Sequence, residues 1–357
     1  MSPRIGRRRL LKYAAAGLSV AAVPGATLAQ TAVQRPPRQV VPDEFSVTTP
    51  VSIEVHARQL TSFDTRDRSR MRFGELEYRS GLILTSPFRG FGGLSGLRLD
   101  AKGERFIAIS DKAGWFTGRI VYKGREMIGL DDVEASPILG PDGKPITSRR
   151  WFDTEALALD GPLVYVGLER VNQVLRFDFT KSFTHAHGEP IALPPAARKL
   201  PYNKGIEALV VVPRGNQPLA GTLIAISERG LDAQGNILGF LIGGKSPGQF
   251  TVRRTDDFDV SDAVVLPSGG LLVLERKFSW VGGVGIRIRR IALSSIAPGA
   301  LIDGPSIFNA DLGHEIDNME GIDAHVTPEG DTVLTLVSDD NFSMIQRNLL
   351  LQFTLVE

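Results

Sequence analysis

Five stretches of this chain share one grammar, and that repeat limits the fold more than any other feature. They run from Leu94-Ser95-Gly96-Leu97 to Ile109-Ser110-Asp111-Lys112, from Thr154-Glu155-Ala156-Leu157 to Gly167-Leu168-Glu169-Arg170, and from Ile206-Glu207-Ala208-Leu209 to Ile226-Ser227-Glu228-Arg229. The last two run from Ser261-Asp262-Ala263-Val264 to Leu274-Glu275-Arg276 and from Met319-Glu320-Gly321-Ile322 to Val337-Ser338-Asp339-Asp340. Each opens on a polar, usually acidic residue, runs through a short apolar strand and turns at a glycine, as in Asp160-Gly161-Pro162 or Pro328-Glu329-Gly330-Asp331. A second strand then returns and ends in an acid, which is the pattern of a β-hairpin. From Ser95 through Glu155, Glu207 and Asp262 to Glu320 the steps are 60, 52, 55 and 58 residues. That leaves room for two more strands per unit, such as Arg119–Tyr122, Val174–Phe179, Ile237–Ile242, Gly285–Ile291 and Leu349–Leu355. An all-β unit of about four strands at this period is a propeller blade, whereas a β-sandwich needs no even spacing. The fold class expected is therefore an all-β propeller with five countable repeats. Six blades are favoured if residues 51–90, with strands at Val51–Val55 and Gly81–Thr85, add one; the alternative is that they close the ring against the C-terminal strands.

The chain of 357 residues is 42% hydrophobic and contains no cysteine, so it can bury a full core but can form no disulfide and no thiolate metal site. Its net charge of +1 conceals an asymmetry. The first 29 residues hold Arg4, Arg7, Arg8, Arg9 and Lys12 without an acid, and the remainder has 36 basic against 40 acidic residues. A mildly acidic body without a basic tract gives no reason to expect nucleic acid as a partner. Arg7-Arg8-Arg9-Leu10-Leu11-Lys12, the apolar run Tyr13–Val23 and the small-residue exit Ala26-Thr27-Leu28-Ala29 read as a signal peptide of the twin-arginine type, with export to the periplasm or beyond. Residues 1–29 are thus the expected signal, 30–50 a linker and 51–357 one propeller domain; no membrane anchor is expected after cleavage.

In an antiparallel hairpin the opening and closing polar positions lie side by side, away from the turn, and circular repetition brings them to one mouth of the central channel. The first ring reads Ser95, Glu155, Glu207, Asp262 and Glu320; the second Asp111, Glu169, Glu228, Glu275 and Asp339; the residue after it Lys112, Arg170, Arg229, Arg276 and Asp340. Two readings compete. Arginine–carboxylate pairs could tie blade to blade, which is preferred for most repeats. Alternatively the surplus acids form a well for a hard cation such as Ca²⁺, since crowded carboxylates repel unless a cation intervenes. The last repeat, where Asp340 replaces the base and the approach is His314-Glu315-Ile316-Asp317-Asn318, is the candidate metal or catalytic pole. Glu155, Glu207, Glu320 and Asp339 are the expected metal ligands, and these four with Asp340 the expected catalytic acids.

Other motifs are weaker. Gly93-Leu94-Ser95-Gly96-Leu97 lacks the second glycine of a nucleophile elbow, so Ser95 is not read as a nucleophile. His185 and His187 fall in an exposed loop, and Trp115, Trp151 and Trp280 are read as packing between blades.

Gly93-Leu94-Ser95-Gly96-Leu97, Asp153-Thr154-Glu155-Ala156-Leu157, Gly205-Ile206-Glu207-Ala208-Leu209, Asn318-Met319-Glu320-Gly321-Ile322 and Ser338-Asp339-Asp340-Asn341-Phe342 together resemble the bacterial phytase-like family, named for an esterase-like activity of phytase. The resemblance covers about residues 80–355. It implies a propeller hydrolysing a small-molecule ester, phosphoester ahead of lactone or carboxylester, with carboxylate-held Ca²⁺ and with Lys112, Arg170, Arg229 and Arg276 as phosphate-binding residues. Propeller phytases usually carry denser runs of acids and lysines than this chain, so phytate itself is not the expected substrate. The alternative is a non-catalytic propeller that binds an envelope ligand or a protein partner.

Overall fold

In the computed structural model, residues 44–356 are described except 46, 47, 181, 182, 184, 216 and 280–282; the expected signal peptide and Trp280 lie outside the described residues. The described strands form five antiparallel sheets, one per sequence repeat. Blade one holds Leu94–Leu99, Arg105–Ser110, Gly114–Lys123 and Glu126–Pro137, with Val51–Ser52 added at its outer edge. Blade two holds Thr154–Asp160, Leu163–Leu168, Gln173–Asp178 and the short Glu189–Pro190. Blade three runs Ile206–Val211, Thr222–Leu231, Ile237–Gly243 and Gly248–Val252, and Leu301–Ile302 joins its edge in parallel. Blade four runs Asp259–Val265, Leu271–Ser279, Gly283–Ile291 and Ser306–Ala310.

Blade five is built from both ends of the domain. Asn318–Val326, Thr332–Asp339 and Asn348–Leu355 come from the C-terminal side, and Leu76–Thr85 and His56–Leu60 complete the sheet. Leu350 pairs with Leu82 and Leu351 with Gly81 across that seam. The leaning towards six blades is thereby corrected. Residues 51–90 carry no hairpin of the repeat grammar, and their strands complete the outer side of blade five and the edge of blade one. The closing of the ring was the alternative raised by the sequence, and it removes an exposed edge.

The first strand of each blade contacts the first strands of its two neighbours, which makes these five strands the wall of the axis. Blade strands are buried on both faces, which explains their continuous apolar runs in place of strict alternation. Successive residues serve opposite interfaces: Leu157 packs with Ile109 and Trp115 of blade one, while Ala156 and Ala158 pack with Ile206 and Leu209 of blade three. Five apolar clusters result, one at each blade-to-blade interface. Trp115 is fully buried edge-on to Phe177 of blade two at 5.3 Å, and Trp151 packs against the same cluster.

The axis is closed by one ion pair. Arg98 Nη1 and Nη2 donate to Asp262 Oδ2 and Oδ1 at 2.8 and 2.9 Å. The same guanidinium donates to the carbonyls of Leu97, Leu209, Ala263 and Ile322, so it joins the inner strands of blades one, three, four and five. Among the described residues no helix is long and apolar enough to cross a membrane.

Candidate active site at the acid-lined mouth

Each inner strand slips its pairing by one residue as it leaves the mouth of the ring. The residue left unpaired is Ser95, Glu155, Glu207, Ser261 and Glu320 in blades one to five. A β-bulge re-aims the side chain it carries, and here it does so in every blade at the same level. Glu155, Glu207 and Glu320 consequently line one cavity of about 1180 Å³, together with Asp111, Glu169, Glu228 and Asp339 from the ends of the second strands.

The carboxylates crowd each other. Glu169, Glu207 and Glu228, all buried, each present an oxygen within 4.8 Å of the others, and Asp153, Glu155 and Glu169 form a second such group sharing Glu169. Burial, reinforced by Asp153 and Glu320, raises the pKa of Glu155 well above its usual range; burial with Glu155 and Glu320 does the same to Glu207. Burial pushes Glu320 up to about 8 despite the neighbouring Arg276, and Asp111 and Glu169 up to about 7. Asp339 rises to about 6, also through burial. Glu320 Oε1 accepts from Asn318 Nδ2 at 2.7 Å and faces Arg276 Nη2 at 3.1 Å, while its Oε2 is buried without a hydrogen-bond partner. Asn318 Nδ2 also reaches Asp339 Oδ2 at 3.5 Å.

Few cations answer this charge. Arg276 spans Glu320 and Glu228, and Lys204 Nζ donates to Glu228 at 2.8 Å. Burial would lower the pKa of Arg276, but Glu320, Glu207 and Glu228 outweigh it. Arg170 lines the cavity but its Nε donates to Asp153 at 2.5 Å, with the guanidinium over Phe152. Arg229 is bound to Asp259 of the next blade, and Lys112 to Glu44 at 3.3 Å and to the face of Phe342; neither lines the cavity. Asp340 does not line it either. Its Oδ1 accepts from the amides of Gly93 and Phe342 and its Oδ2 from Asn348, which makes it a clasp between blades five and one.

The family described as phytase-like, with esterase-like activity of phytase, matches residues 89–342. The chain belongs to the phytase-like family. No curated protein matches this phytase-like chain in sequence. Among solved structures, YCF48 bound to a D1 peptide is 13% identical with a TM-score of 0.32, over 69% of this chain and 62% of that one, so the phytase-like chain spans less than two thirds of its length. The glutaminyl cyclase of Myxococcus xanthus is 10% identical, TM-score 0.36, over 87% and 100% of the two chains. The α-L-arabinofuranosidase PaAbf62A of Podospora anserina is 10% identical, TM-score 0.45, over 74% and 92%. At these scores the likenesses carry nothing about function.

In this phytase-like propeller one repeat departs from the sequence alignment. Ser261-Asp262-Ala263 reads like Thr154-Glu155-Ala156, which put Asp262 in the first ring. The bulge of blade four falls on Ser261, because Val260 pairs with Glu275 and Asp262 with Leu274. A shift of one residue sends every side chain to the opposite face. Asp262 therefore goes to Arg98, Glu275 is buried against Arg287 and Arg289, and Arg276 takes the ring position that Asp111, Glu169, Glu228 and Asp339 hold elsewhere. The acids of the last repeat are also less exposed to one another than expected, since Arg347 Nη1 donates to Glu315 at 2.5 Å and its Nε lies 3.6 Å from Asp317. Glu169 and Glu228 belonged to the second ring on sequence but had no ligand role; the signal for them was the same acidic strand end that marks Asp339.

Proposed function

We propose that this phytase-like propeller is a calcium-dependent phosphoester hydrolase working in the acid well. The observation that carries the reading is the pair of carboxylate groups sharing Glu169, deep in a cavity with more acids than cations. The donor set is all oxygen, as a hard divalent cation requires, and the repulsion that raises these pKa values is what such an ion relieves. Glu169, Glu207 and Glu228 would hold it, with Asp153 and Glu155 beside them. When bound, the ion supplies positive charge that polarises the phosphoryl group and orients water.

The chain's own residues supply the rest. Arg276 and Lys204 face the cavity and offer donors to phosphoryl oxygens. Glu320, buried in the well with Oε2 without a hydrogen-bond partner, would give a proton to the leaving oxygen. The P–O bond to the alcohol breaks, water provides the oxygen of the new P–O bond, and the proton that water releases restores Glu320. Asn318, bridging Glu320 and Asp339, fixes the orientation of both carboxyl groups. The arginine-led N-terminal segment serves, in this reading, as the export signal that places the enzyme outside the cytoplasm.

Hydrolysis of p-nitrophenyl phosphate by the purified protein tests the proposal. Turnover with Ca²⁺ that disappears with EDTA is expected, and Glu169→Gln should lower it by ~100-fold with little change in melting temperature. No turnover, with no metal retained on elemental analysis, overturns it. A second reading, a non-catalytic ligand-binding propeller, draws on the ties that hold Lys112 and Arg229 outside the cavity and occupy Arg170 with Asp153. Metal binding without turnover of phosphate, carboxylate or lactone esters would select that one.

A further inference from the structure

Of the five most exposed large apolar side chains of the described residues, three line the acid well and two adjoin residues that do. Met344, Ile345, Leu312, Phe278 and Tyr202 are 103%, 90%, 66%, 65% and 63% exposed, whereas the next, Met71, reaches 45%. Phe278, Leu312 and Ile345 line the same cavity as Glu155, Glu207 and Glu320; Met344 adjoins Ile345, and Tyr202 adjoins Asn203 and Lys204, which also line it. Single exposed apolar residues need no explanation, but a cluster confined to one rim does. The collar has structural causes. The second and third strands of blade four run on past the ring to the pairs Phe278–Val284 and Ser279–Gly283, and Leu312 lies over Gly283. The turn carrying Met344 and Ile345 is anchored by Asp317, which accepts from Gln346 Nε2 and the Arg347 amide.

The charges of the well select what the collar can receive. Acids outnumber cations around the well, so a ligand bearing many phosphates would find few donors beyond Arg276 and Lys204 and would meet an excess of carboxylates. A single anionic head beside one divalent cation needs only those donors. We infer that the substrate is an amphiphilic monoester, its phosphate head in the acid well and its alkyl or aryl alcohol resting on Phe278, Leu312 and Ile345. This rests on the hydrolase reading and narrows its substrate class.

The test uses n-alkyl phosphates from ethyl to octyl, below their micellar concentrations, and the matching non-hydrolysable n-alkyl phosphonates, with Ca²⁺ present. A methylene fully removed from water strengthens binding about fourfold, so a one-sided collar should favour octyl over ethyl by roughly tenfold or more. Leu312→Ser/Ile345→Ser, changes at exposed positions, should bring that ratio close to one. Equal binding of ethyl and octyl phosphonate, no binding of either, or tighter binding of inositol hexakisphosphate overturns the inference. So does sedimentation with phosphatidylcholine vesicles without discrimination among soluble chains, which would make the collar a membrane contact. Chain-selective phosphonate binding without turnover leaves the collar standing and removes the hydrolase; turnover indifferent to chain length does the reverse.

Discussion

Glu320 concentrates the physics of the site in one side chain. Burial raises its pKa, Arg276 lowers it and Asp339 raises it again, and the sum stands near 8. In the unfolded chain the same acids titrate near 4. Between those values the folded state holds more protons than the unfolded one, so each proton released as pH rises favours unfolding. The metal-free protein should therefore lose stability as pH climbs from about 4, where the unfolded acids ionise, to about 8, where Asp339, Asp111, Glu169 and finally Glu320 have ionised in the fold. Urea denaturation in EDTA measures this. Glu320→Gln should make the decline shallower, and Ca²⁺ should abolish it. A metal-free fold that grows steadier over that interval would contradict the account. Asp259 behaves in the opposite sense: burial would raise its pKa, but Arg229 and Arg254 hold it low, so its contribution is lost only in acid.

The hairpin is the element at which sequence and structure can be compared most closely. Turn glycines and acidic strand ends located all five inner hairpins, and the third strands fell where room had been left for them. Glu155, Glu207, Glu320 and Asp339 were brought to one mouth by that repetition. Blade four was misaligned because a bulge adds a residue that only the pairing reveals, and Ser-Asp-Ala imitates Thr-Glu-Ala. Asp340 stands outside the cavity for a related reason: its neighbourhood is acidic in sequence, but its oxygens are taken by the Gly93 amide of blade one and by the Phe342 amide and the Asn348 side chain of its own blade. The misaligned Asp262 carries a prediction of its own. Breaking a buried ion pair leaves a charge without its partner and typically costs ~3–5 kcal/mol. Arg98→Leu should destabilise by about that amount in denaturant titration, and Arg98→Leu/Asp262→Leu should recover much of it. If the single and double variants were equally stable to the parent, Arg98 would not be closing the axis.

At the level of the whole molecule, the number of blades was the quantity least legible in the sequence. Residues 51–90 contain strand-forming runs but no turn-and-acid signature, so nothing local says whether they make a sheet or join one. The answer depends on pairing between Leu76–Thr85 and Asn348–Leu355, separated by most of the domain. Contacts that distant are the slowest for a chain to find. Deleting residues 348–357 should leave four sheets and an unsealed fifth, seen as aggregation and lost cooperativity in thermal melts. A truncated chain that still melted in one sharp transition would show the seam to be dispensable. During synthesis the ring must wait: the partner of Leu76–Thr85 is the last strand of the propeller, so a nascent chain carries a raw hydrogen-bonding edge until Asn348–Leu355 has emerged and found it.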